Sequence, residues 1–488
     1  MSDLIIKKKN EVYLKVNTEP HVHHELADFF TFEIESAKYM QKTRRYKGLD
    51  GKVRLYSPAT GEIYVGLVSY LTQWAHEKGY QYEIENHENF GHPHDQNDLI
   101  SPESVVGFVK ALGLSVKAHD YQLSAIYECL RYNSALLLSP TASGKSLMIY
   151  SLVRFHVNVK RNVLIIVPTT SLVEQMYKDF TEYGWNTKHH CHKIYGGQDK
   201  YVQNDVVIST WQSLYKEPRK FFDRFDVVIG DEAHLFKSQS LVKIMTKLHT
   251  AKYRYGFTGT LDGTQTHKLV LEGLFGPSYK TIKTHELMEK GYLAKLNAKI
   301  ILLKHPPICF DTYEDELQYL IGHEQRNKFI KNLALDLKGN TLILYSRVET
   351  HGEVLYNMIN NNDRKVFFIH GGVDVENRET CRSITEEEND AIIVASYGTF
   401  STGINIKRLH NIIFASPSKS RIRNLQSIGR VLRKGKGKVK AVLYDIADDC
   451  STDSKRNYTL NHLFERIKIY NEENFNYDLV KVQLKEKK

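Results

Sequence analysis

The clearest chemistry in this sequence lies in three successive residues, Gly144-Lys145-Ser146. They end a short loop that follows the apolar run Ala135–Leu138 and precedes a helical pattern of apolar residues starting at Leu147. A strand, a tight loop and a helix N-terminus form a cradle of backbone N–H groups that binds phosphate. In such a loop the lysine neutralises the β- and γ-phosphates and the hydroxyl reaches Mg²⁺. We therefore predict a site for a nucleoside triphosphate, made by Ser139, Pro140, Thr141, Ala142, Ser143, Gly144, Lys145 and Ser146.

Two adjacent carboxylates, Asp231 and Glu232, follow the apolar run Val227–Ile229. Ligands of open α/β sheets bind at the carboxyl ends of the strands, which is where this pair is expected to lie. A carboxylate in this position can hold Mg²⁺ through its water shell, and its neighbour can polarise an attacking water. The pair predicts Asp231 as a metal residue and Glu232 as a general base.

A third element has the pattern Gln-x-x-Gly-Arg-x-x-Arg, with Gln426, Gly429, Arg430 and Arg433. The spacing predicts two guanidinium groups on one face of a helix. An arginine aimed at a γ-phosphate stabilises transition-state charge by a factor of ~10³ or more. Since these arginines lie far along the chain from the phosphate loop, we expect ATP to bind in a cleft between two domains.

The elements that must position these residues are visible as apolar runs that alternate with helical patterns. Continuous apolar runs between helices are typical of parallel sheets covered on both faces. The first series predicts strands at Ala135–Leu138, Val163–Val167, Val206–Ile208, Val227–Ile229 and Tyr255–Phe257. The second predicts strands at Thr341–Tyr345, Val366–Ile369, Ala391–Ala395, Ile412–Ala415 and Ala441–Tyr444. Two consecutive α/β domains follow, with a boundary near residues 291–307.

The flanking segments carry no nucleotide motif. In the first 95 residues, Glu11–Val16 reads as a strand, and apolar residues at helical spacing predict a helix over 67–74. A basic stretch between them offers Arg44, Arg45, Lys52 and Arg54 as candidate contacts to duplex phosphates. The polar segment 87–98 is a candidate linker. After residue 455 we expect a terminal helix and a frayed, lysine-rich tail.

Composition limits the class of protein. The chain has 488 residues, enough for about three domains of ~150 residues. Its net charge of +10 favours a polyanionic partner, nucleic acid before membrane. Five cysteines without CxxC spacing suggest reduced thiols, and no apolar run approaches the ~18 residues of a membrane span. We therefore expect a cytoplasmic protein, in the host cytoplasm if a phage encodes it, with no membrane partner.

In this order, the phosphate loop, Asp-Glu-Ala-His and Gln-x-x-Gly-Arg-x-x-Arg resemble the motifs of superfamily 2 helicases. The resemblance implies two tandem RecA-like domains and gives roles to residues in the intervening motifs. It implies that Gln122 reads adenine, that Gly403 also binds nucleotide, and that Gln426 belongs with the catalytic residues Lys145, Asp231, Glu232, Arg430 and Arg433. It implies nucleic-acid contacts at Thr169, Thr170, Thr210, Arg347 and Thr402, and coupling of hydrolysis to nucleic-acid grip by His234, Thr258 and Thr260.

A closer resemblance, spanning nearly the whole chain, is to the UvsW-type recombination helicases of T-even-like phages. It is carried by the N-terminal segments 24–33, 44–46, 50–55 and 66–68, by segments 393–398, 400–403 and 428–434, and by the terminal Phe475-Asn476-Tyr477. It implies an ATP-dependent DNA helicase that migrates Holliday junctions and forks and dismantles R-loops, which contain RNA–DNA hybrid. ATP and Mg²⁺ are the implied cofactors, and branched or duplex-containing DNA is the implied partner.

The sequence thus predicts four segments: a small α+β nucleic-acid-binding domain at 1–95, an ATP-binding RecA-like domain at 100–290, a second RecA-like domain at 291–455, and a C-terminal helix and tail at 456–488. Two other enzymes fit the same motifs, an RNA helicase and the motor subunit of a restriction system. A third alternative is an ATP-gated nucleic-acid clamp that binds without processive unwinding. No nuclease constellation accompanies the motor motifs in the sequence, which disfavours the restriction motor.

Overall fold

A computed structural model of the chain describes residues 2–33, 50–85, 99–201, 203–360, 363–403, 406–416, 418–435 and 438–484. The chain divides into two compact units. One comprises residues 1–139 and 144–281, and the other comprises residues 282–488 with residues 140–143. Within the described residues, no helix combines the length and the apolar character that crossing a bilayer requires.

The first unit begins with a small α+β domain built on alternating strands. In the second strand Leu14 and Val16 are buried while Lys15 between them is exposed, so one face of the sheet is apolar. Its strands are β1 (Leu4–Lys8), β2 (Tyr13–Asn17), β3 (Thr31–Glu33), β4 (Lys52–Arg54), β5 (Tyr56–Ser57), β6 (Glu62–Tyr64) and β7 (Tyr82–Ile84), and its helices are α1 (Pro20–Phe29) and α2 (Val68–Lys78). The sheet has the order β5-β6-β2-β1-β7, and β3 and β4 pair separately.

The rest of the first unit is a parallel sheet with helices on both faces. Neighbouring residues of one strand, Leu136 and Leu137, belong to the cores on opposite faces, which explains the uninterrupted apolar runs. The strands are β8 (Ser134–Leu138), β9 (Val163–Val167), β10 (Cys191–Ile194), β11 (Val206–Thr210), β12 (Val227–Asp231), β13 (Tyr253–Thr258) and β14 (Ser278–Lys280). The helices are α3 (Pro102–Ala111), α4 (Asp120–Tyr132), α5 (Lys145–Asn158), α6 (Thr170–Glu182), α7 (Thr187–His190), α8 (Trp211–Leu214), α9 (Arg219–Phe222), α10 (Gln239–Lys247) and α11 (Gln265–Phe275).

The α+β domain is packed onto α11 of this sheet through a close backbone approach. Gly66 lies so near the helix that a Cβ there would come within 1.9 Å of the Glu272 carbonyl oxygen. The Tyr70 hydroxyl donates to Glu272 Oε2 at 2.6 Å, and the Glu11 N–H donates to the His249 carbonyl at 3.1 Å. One apolar core continues from the small domain to this face of the sheet. The two therefore form one compact body.

The second unit contains another parallel sheet covered by helices. Its strands are β15 (Lys295–Lys304), β16 (Thr341–Tyr345), β17 (Val366–Ile369), β18 (Ile392–Ser396), β19 (Asn411–Phe414), β20 (Lys440–Asp449) and β21 (Asn476–Gln483). Its helices are α12 (Thr284–Glu289), α13 (Tyr313–Gly322), α14 (Glu324–Asp336), α15 (Glu353–Ile359), α16 (Val375–Glu387), α17 (Tyr397–Gly403), α18 (Arg421–Val431) and α19 (Tyr458–Glu472). When the seven strands of each parallel sheet are numbered in chain order, both sheets have the order 3-4-2-5-6-1-7.

This architecture confirms the predicted class, two tandem RecA-like α/β domains preceded by a small α+β domain. Four strands of the two parallel sheets were not predicted: β10 and β14 in the first sheet, and β15 and β21 in the second. β15 lies within the segment taken as a domain boundary, and β21 pairs in parallel with β15 over Asn476–Gln483. The expectation of a frayed tail is therefore wrong for residues 476–483, because backbone hydrogen bonds to β15 order them. The predicted domain bounds stay predictions, and the candidate linker 87–98 lies outside the described residues.

Candidate nucleotide and nucleic-acid sites

The predicted phosphate loop joins β8 to α5 and uses left-handed backbone at two positions. Gly144 has φ +79° and Ala142 has φ +67°. The Ser143 hydroxyl donates to the Pro140 carbonyl at 2.6 Å and closes the loop on itself. The Lys145 ammonium donates to the Ser139 carbonyl at 3.4 Å, so the lysine folds back over the loop. Ser146 follows in the first turn of α5, at the positive end of the helix dipole.

Gln122, the predicted adenine reader, lies against this loop. A Cβ on Gly144 would come within 2.2 Å of Gln122 Nε2, so only glycine allows the amide to approach this closely. Gln122 is 3% exposed, and its Oε1 accepts from the His119 N–H at 2.8 Å in a capping box at the start of α4. The structure therefore brings Gln122 and the phosphate loop together.

Asp231 ends β12 and Glu232 follows it in left-handed backbone with φ +51°. The Glu232 N–H donates to Asp231 Oδ1 at 2.9 Å. Burial, together with the charge of Glu232, raises the pKa of Asp231 to about 6, against the opposing effect of Lys145. A nearby cation stabilises the ionised form most strongly when the carboxylate is buried and costly to ionise. Carboxylate and hydroxyl oxygens are ligands that Mg²⁺ prefers, so Asp231 and Ser146 fit the predicted metal.

The predicted coupling residues form a chain of contacts behind the carboxylates. His234 Nδ1 lies 3.0 Å from Thr258 Oγ1 and 3.4 Å from Glu232 Oε2. Thr258 Oγ1 also donates to the Thr260 carbonyl at 3.2 Å. The Thr258 carbonyl in turn accepts from the Ser139 N–H at 2.8 Å. The end of β13 is therefore bonded both to the turn after β12 and to the start of the phosphate loop.

Sequence reasoning missed two residues, Asp262 and His267, that stabilise this series of contacts. His267 Nε2 lies 2.9 Å from the His234 carbonyl, and its Nδ1 lies 2.9 Å from Asp262 Oδ1. Burial would raise the pKa of Asp262, but hydrogen bonds from His267 and Lys237 hold it well below its usual range. Their signal in the sequence was position alone, because they lie two and seven residues after Thr260. His267 lies on α11, the helix that carries the α+β domain.

The residues of the first sheet that are predicted to contact nucleic acid lie at the carboxyl ends of neighbouring β-strands. Thr169 follows β9 and caps α6, where its hydroxyl accepts from the Leu172 N–H at 3.3 Å, and Thr170 is the first residue of that helix. Thr210 ends β11, which pairs with β9, and its hydroxyl lies 3.0 Å from that of Ser213. The Gln212 amide donates to the Pro168 carbonyl at 3.3 Å, linking the two loops.

In the second unit, Arg347 follows β16 and its Nη2 donates to both oxygens of Glu314, at 2.9 and 2.8 Å. About half of each side chain is exposed, so the pair lies at the surface. Thr402 and Gly403 are the last residues of α17. In the small domain, Lys52 and Arg54 lie on β4, and Arg54 pairs with Asp50. Arg44 and Arg45 lie outside the described residues.

Gln426 and Arg430 lie on α18, where Gln426 is buried and the Arg430 guanidinium stacks 5.9 Å from the Phe400 ring centroid. The expectation that Arg433 shares this helix face is wrong. The helix ends at Val431, and Arg433 forms an antiparallel bridge with Leu293. Beyond the helix the backbone pairs with another segment, since the Leu432 carbonyl accepts from the Ala294 N–H at 2.8 Å, and the i, i+3 rule holds only within a helix.

Family models match three parts of the chain. The model described as DNA helicase UvsW, N-terminal, matches residues 3–85. The model described as type III restriction enzyme, res subunit, matches residues 115–263, and the helicase conserved C-terminal domain matches residues 324–435. The three matches cover the α+β domain, six of the seven strands of the first parallel sheet and four of the seven strands of the second.

Individual relatives extend these matches over the full length. The chain is 34% identical over 501 residues to the ATP-dependent DNA helicase uvsW of Enterobacteria phage T4, covering 97% of this chain and 98% of that protein. The crystal structure of T4 UvsW matches with a TM-score of 0.53 at 30% identity, over 99% of this chain and 100% of that one. The restriction-modification enzyme LlaBIII bound to DNA shares the fold, with a TM-score of 0.57 at 15% identity over 75% of this chain and 32% of that one.

Proposed function

The chain belongs to the UvsW family of ATP-dependent DNA helicases, and we propose that it uses ATP with Mg²⁺ to remodel branched DNA. The observation that carries the proposal is the match over 97% of the chain, since it includes the α+β domain as well as the motor. Holliday junctions, forks and R-loops are the proposed substrates, the last of which contain RNA–DNA hybrid. Because the full-length relative is a phage protein, the proposed place of action is the cytoplasm of an infected host.

The proposed chemistry assigns each side chain of the nucleotide site a role. Lys145 neutralises the β- and γ-phosphates in the loop of residues 139–146, and Gln122 contacts the adenine. Mg²⁺ would neutralise the phosphate oxygens when bound, and Ser146 and Asp231 would hold it. Glu232 accepts a proton from the attacking water, with His234 beside it at 3.4 Å. Arg430 and Arg433 stabilise charge on the γ-phosphate, with Gln426 and Gly403 completing the set.

The proposed grip on DNA uses groups that read no base sequence. Hydroxyls and backbone N–H groups at the ends of strands bind phosphates without sequence preference, which suits a translocase that must release and regrip. Thr169, Thr170 and Thr210 from the first sheet, and Arg347 and Thr402 from the second, are the proposed contacts to one strand. Arg44, Arg45, Lys52 and Arg54 are the proposed contacts of the α+β domain to duplex phosphates, which would make binding salt-dependent.

One comparison of substrates tests the function. ATP turnover and strand exchange should be measured with a synthetic four-way junction, a fork, a linear duplex and single-stranded RNA. We expect the junction and the fork to stimulate turnover and to be processed. Stimulation by RNA alone would favour an RNA helicase and overturn the proposal. Strong turnover without junction processing would favour an ATP-gated clamp.

The Lys145→Ala variant tests the assignment of the phosphate loop. Removing the ammonium leaves the phosphate charge uncompensated, so turnover should be abolished while DNA binding, followed by fluorescence anisotropy, stays near the wild-type level. Lys178→Ala is the matched control, because Lys178 is an exposed lysine on α6. Turnover that persists in purified Lys145→Ala protein would contradict the assignment.

A further inference from the structure

Lys438 is a buried lysine at the entrance to β20, just after the segment that carries Arg433. It is 4% exposed, although lysine is among the residues least often buried. Its ammonium donates to the carbonyl oxygen of Arg433 at 3.0 Å, to that of Lys407 at 3.2 Å, and to that of Val431. One cation thus joins the end of α18 to the segment that follows α17.

The energetics of this site favour a specific role over incidental burial. The last carbonyls of a helix have no partner within the helix and carry its negative dipole end, so a cation there satisfies both. Burying an ammonium is costly, and burial lowers the pKa of Lys438 to about 8. The three carbonyl acceptors use all three N–H bonds of the ammonium. A neutral amine has two N–H bonds and would leave one carbonyl unsatisfied.

We propose that Lys438 is a positioning residue for hydrolysis, which fixes the backbone from which Arg430 and Arg433 reach the nucleotide. The inference rests on the role proposed above for those two arginines. Arg433 lies beyond the last turn of α18, so helical hydrogen bonds do not hold it in place. Its backbone is held by the bridge to Leu293 and by Lys438. Without Lys438 the turn after the helix loses its central hydrogen-bond donor.

The kinetic consequence is specific. Interactions made only in the transition state change kcat and leave the KM for substrate nearly unchanged. A displacement of about 1 Å in a catalytic group can lower the rate by ~10²-fold. Lys438→Met keeps the aliphatic stem and removes the donors. We expect its DNA-stimulated kcat to fall by about 10- to 100-fold, with the KM for ATP and the affinity for DNA within about twofold of wild type.

The main test compares Lys438→Met with Lys440→Met, at an exposed lysine two residues further on, and with Arg430→Ala and Arg433→Ala. Circular dichroism checks that each variant is folded. If the arginine variants lower kcat and Lys438→Met does not, Lys438 has no positioning role. If neither arginine variant lowers kcat, the proposed role of the arginines fails first. A rise in KM for ATP with unchanged kcat in Lys438→Met would also overturn the inference.

A pH series supplies a second readout that a space-filling role would not change. The charged or titratable groups around the ammonium are Glu386 on α16, and Arg408 and His410 ahead of β19. Below a pKa of about 8 the ammonium is present, and it is lost as pH rises through that value. The ratio of wild-type kcat to that of Lys438→Met should therefore shrink between about pH 7 and pH 9. A constant ratio would overturn the inference.

Discussion

The two parallel sheets share the strand order 3-4-2-5-6-1-7, but they differ in the loops at their carboxyl edges. In the first sheet, the loops after strands one and five contain non-glycine residues in left-handed backbone, Ala142 and Glu232. In the second sheet, strand one leads into Pro306-Pro307, and the described part of its carboxyl edge has no non-glycine residue with positive φ. Among the described residues, positive φ at a carboxyl edge therefore occurs where the first sheet meets its proposed ligand, while Asn133, Lys160 and Asn474 adopt positive φ ahead of strands, at the amino edges.

Buried ion pairs, in contrast to left-handed backbone at the carboxyl edge, are a feature of the second sheet. Strand six of the first sheet carries Arg254, which donates to the carbonyls of Leu274 at 2.7 Å, Met245 at 3.1 Å and Leu248 at 3.2 Å. Strand six of the second sheet carries two fully buried aspartates, each paired with a buried arginine. Asp448 binds Arg326 and His305, and Asp445 binds Arg466 and Tyr470.

The difference indicates how one fold can serve two purposes. Strained backbone costs energy in the absence of a ligand, and it holds N–H groups ready for phosphate in advance of binding. Buried ion pairs contribute little net stability, yet they resist any rearrangement that would separate the charges. The first sheet is therefore organised as a cradle for the proposed ligand, and the second as a rigid support for Arg430 and Arg433, which we propose act in hydrolysis.

The largest expected effect on stability comes from Asp448→Asn in the second sheet. The substitution keeps the shape of the side chain but leaves the Arg326 guanidinium buried without its countercharge. Breaking a buried pair in this way costs about 3–5 kcal/mol in the free energy of unfolding. Urea denaturation should detect the loss as a lower midpoint. Lys468→Gln is the control, because the exposed Lys468–Glu465 pair should contribute only about 0–1 kcal/mol.

The pH dependence of the free energy of unfolding tests the cluster of Asp448, Arg326 and His305 independently. Burial would raise the pKa of Asp448, but Arg326 and His305 hold it well below its usual range. A depressed pKa in the folded state means that the stabilisation is present above the unfolded value of about 3.9 and is lost as pH falls below it. Wild type should lose this contribution in that window, and Asp448→Asn should not. A loss under about 1 kcal/mol in Asp448→Asn would show that the charge is not isolated from water.

A smaller effect is expected from Arg254→Met in the first sheet. Its acceptors are neutral carbonyls near the ends of α10 and α11. The substitution therefore leaves hydrogen-bond acceptors without a donor, but it does not leave a paired carboxylate without its countercharge. The expected cost is about 1–3 kcal/mol by urea denaturation. Lys243→Met, at an exposed position on α10, is the matched control. If Arg254→Met costs more than Asp448→Asn, the contrast drawn between the two sheets is wrong.

The sequence predicted best what depends on local pattern. The runs Val163–Val167, Thr341–Tyr345 and Val366–Ile369 have in the structure the bounds predicted for them, because buried parallel strands need unbroken apolar residues. The phosphate loop lies between a strand and a helix as its motif requires. Local pattern therefore predicted the scaffold on which the candidate nucleotide site is built.

What the sequence could not predict depends on contacts distant along the chain. β15 alternates polar and apolar residues at its start, so it did not resemble the other strands. β21 is mostly exposed and is identifiable only from its pairing with β15. Lys438 and Arg254 are buried cations whose acceptors are backbone carbonyls. Because every residue has a backbone carbonyl, the sequence does not indicate which carbonyls will accept a hydrogen bond. Sequence reasoning assigns such cations to the surface.

The smallest expected effect tests the strained side of the comparison. Ala142 has φ +67°, a conformation that costs an L-residue about 1–2 kcal/mol. Ala142→Gly removes this cost, but glycine also gives the unfolded chain more conformational freedom, which lowers the free energy of unfolding by about 0.4–1 kcal/mol. The net result is a gain of about 0.5–1 kcal/mol in the free energy of unfolding without nucleotide. Ala111→Gly, at the exposed end of α3, should instead lose stability, since no positive φ is relieved there. Equal losses in both variants would mean that the loop is unstrained before nucleotide binds, and the first sheet would then differ from the second only in its buried charge.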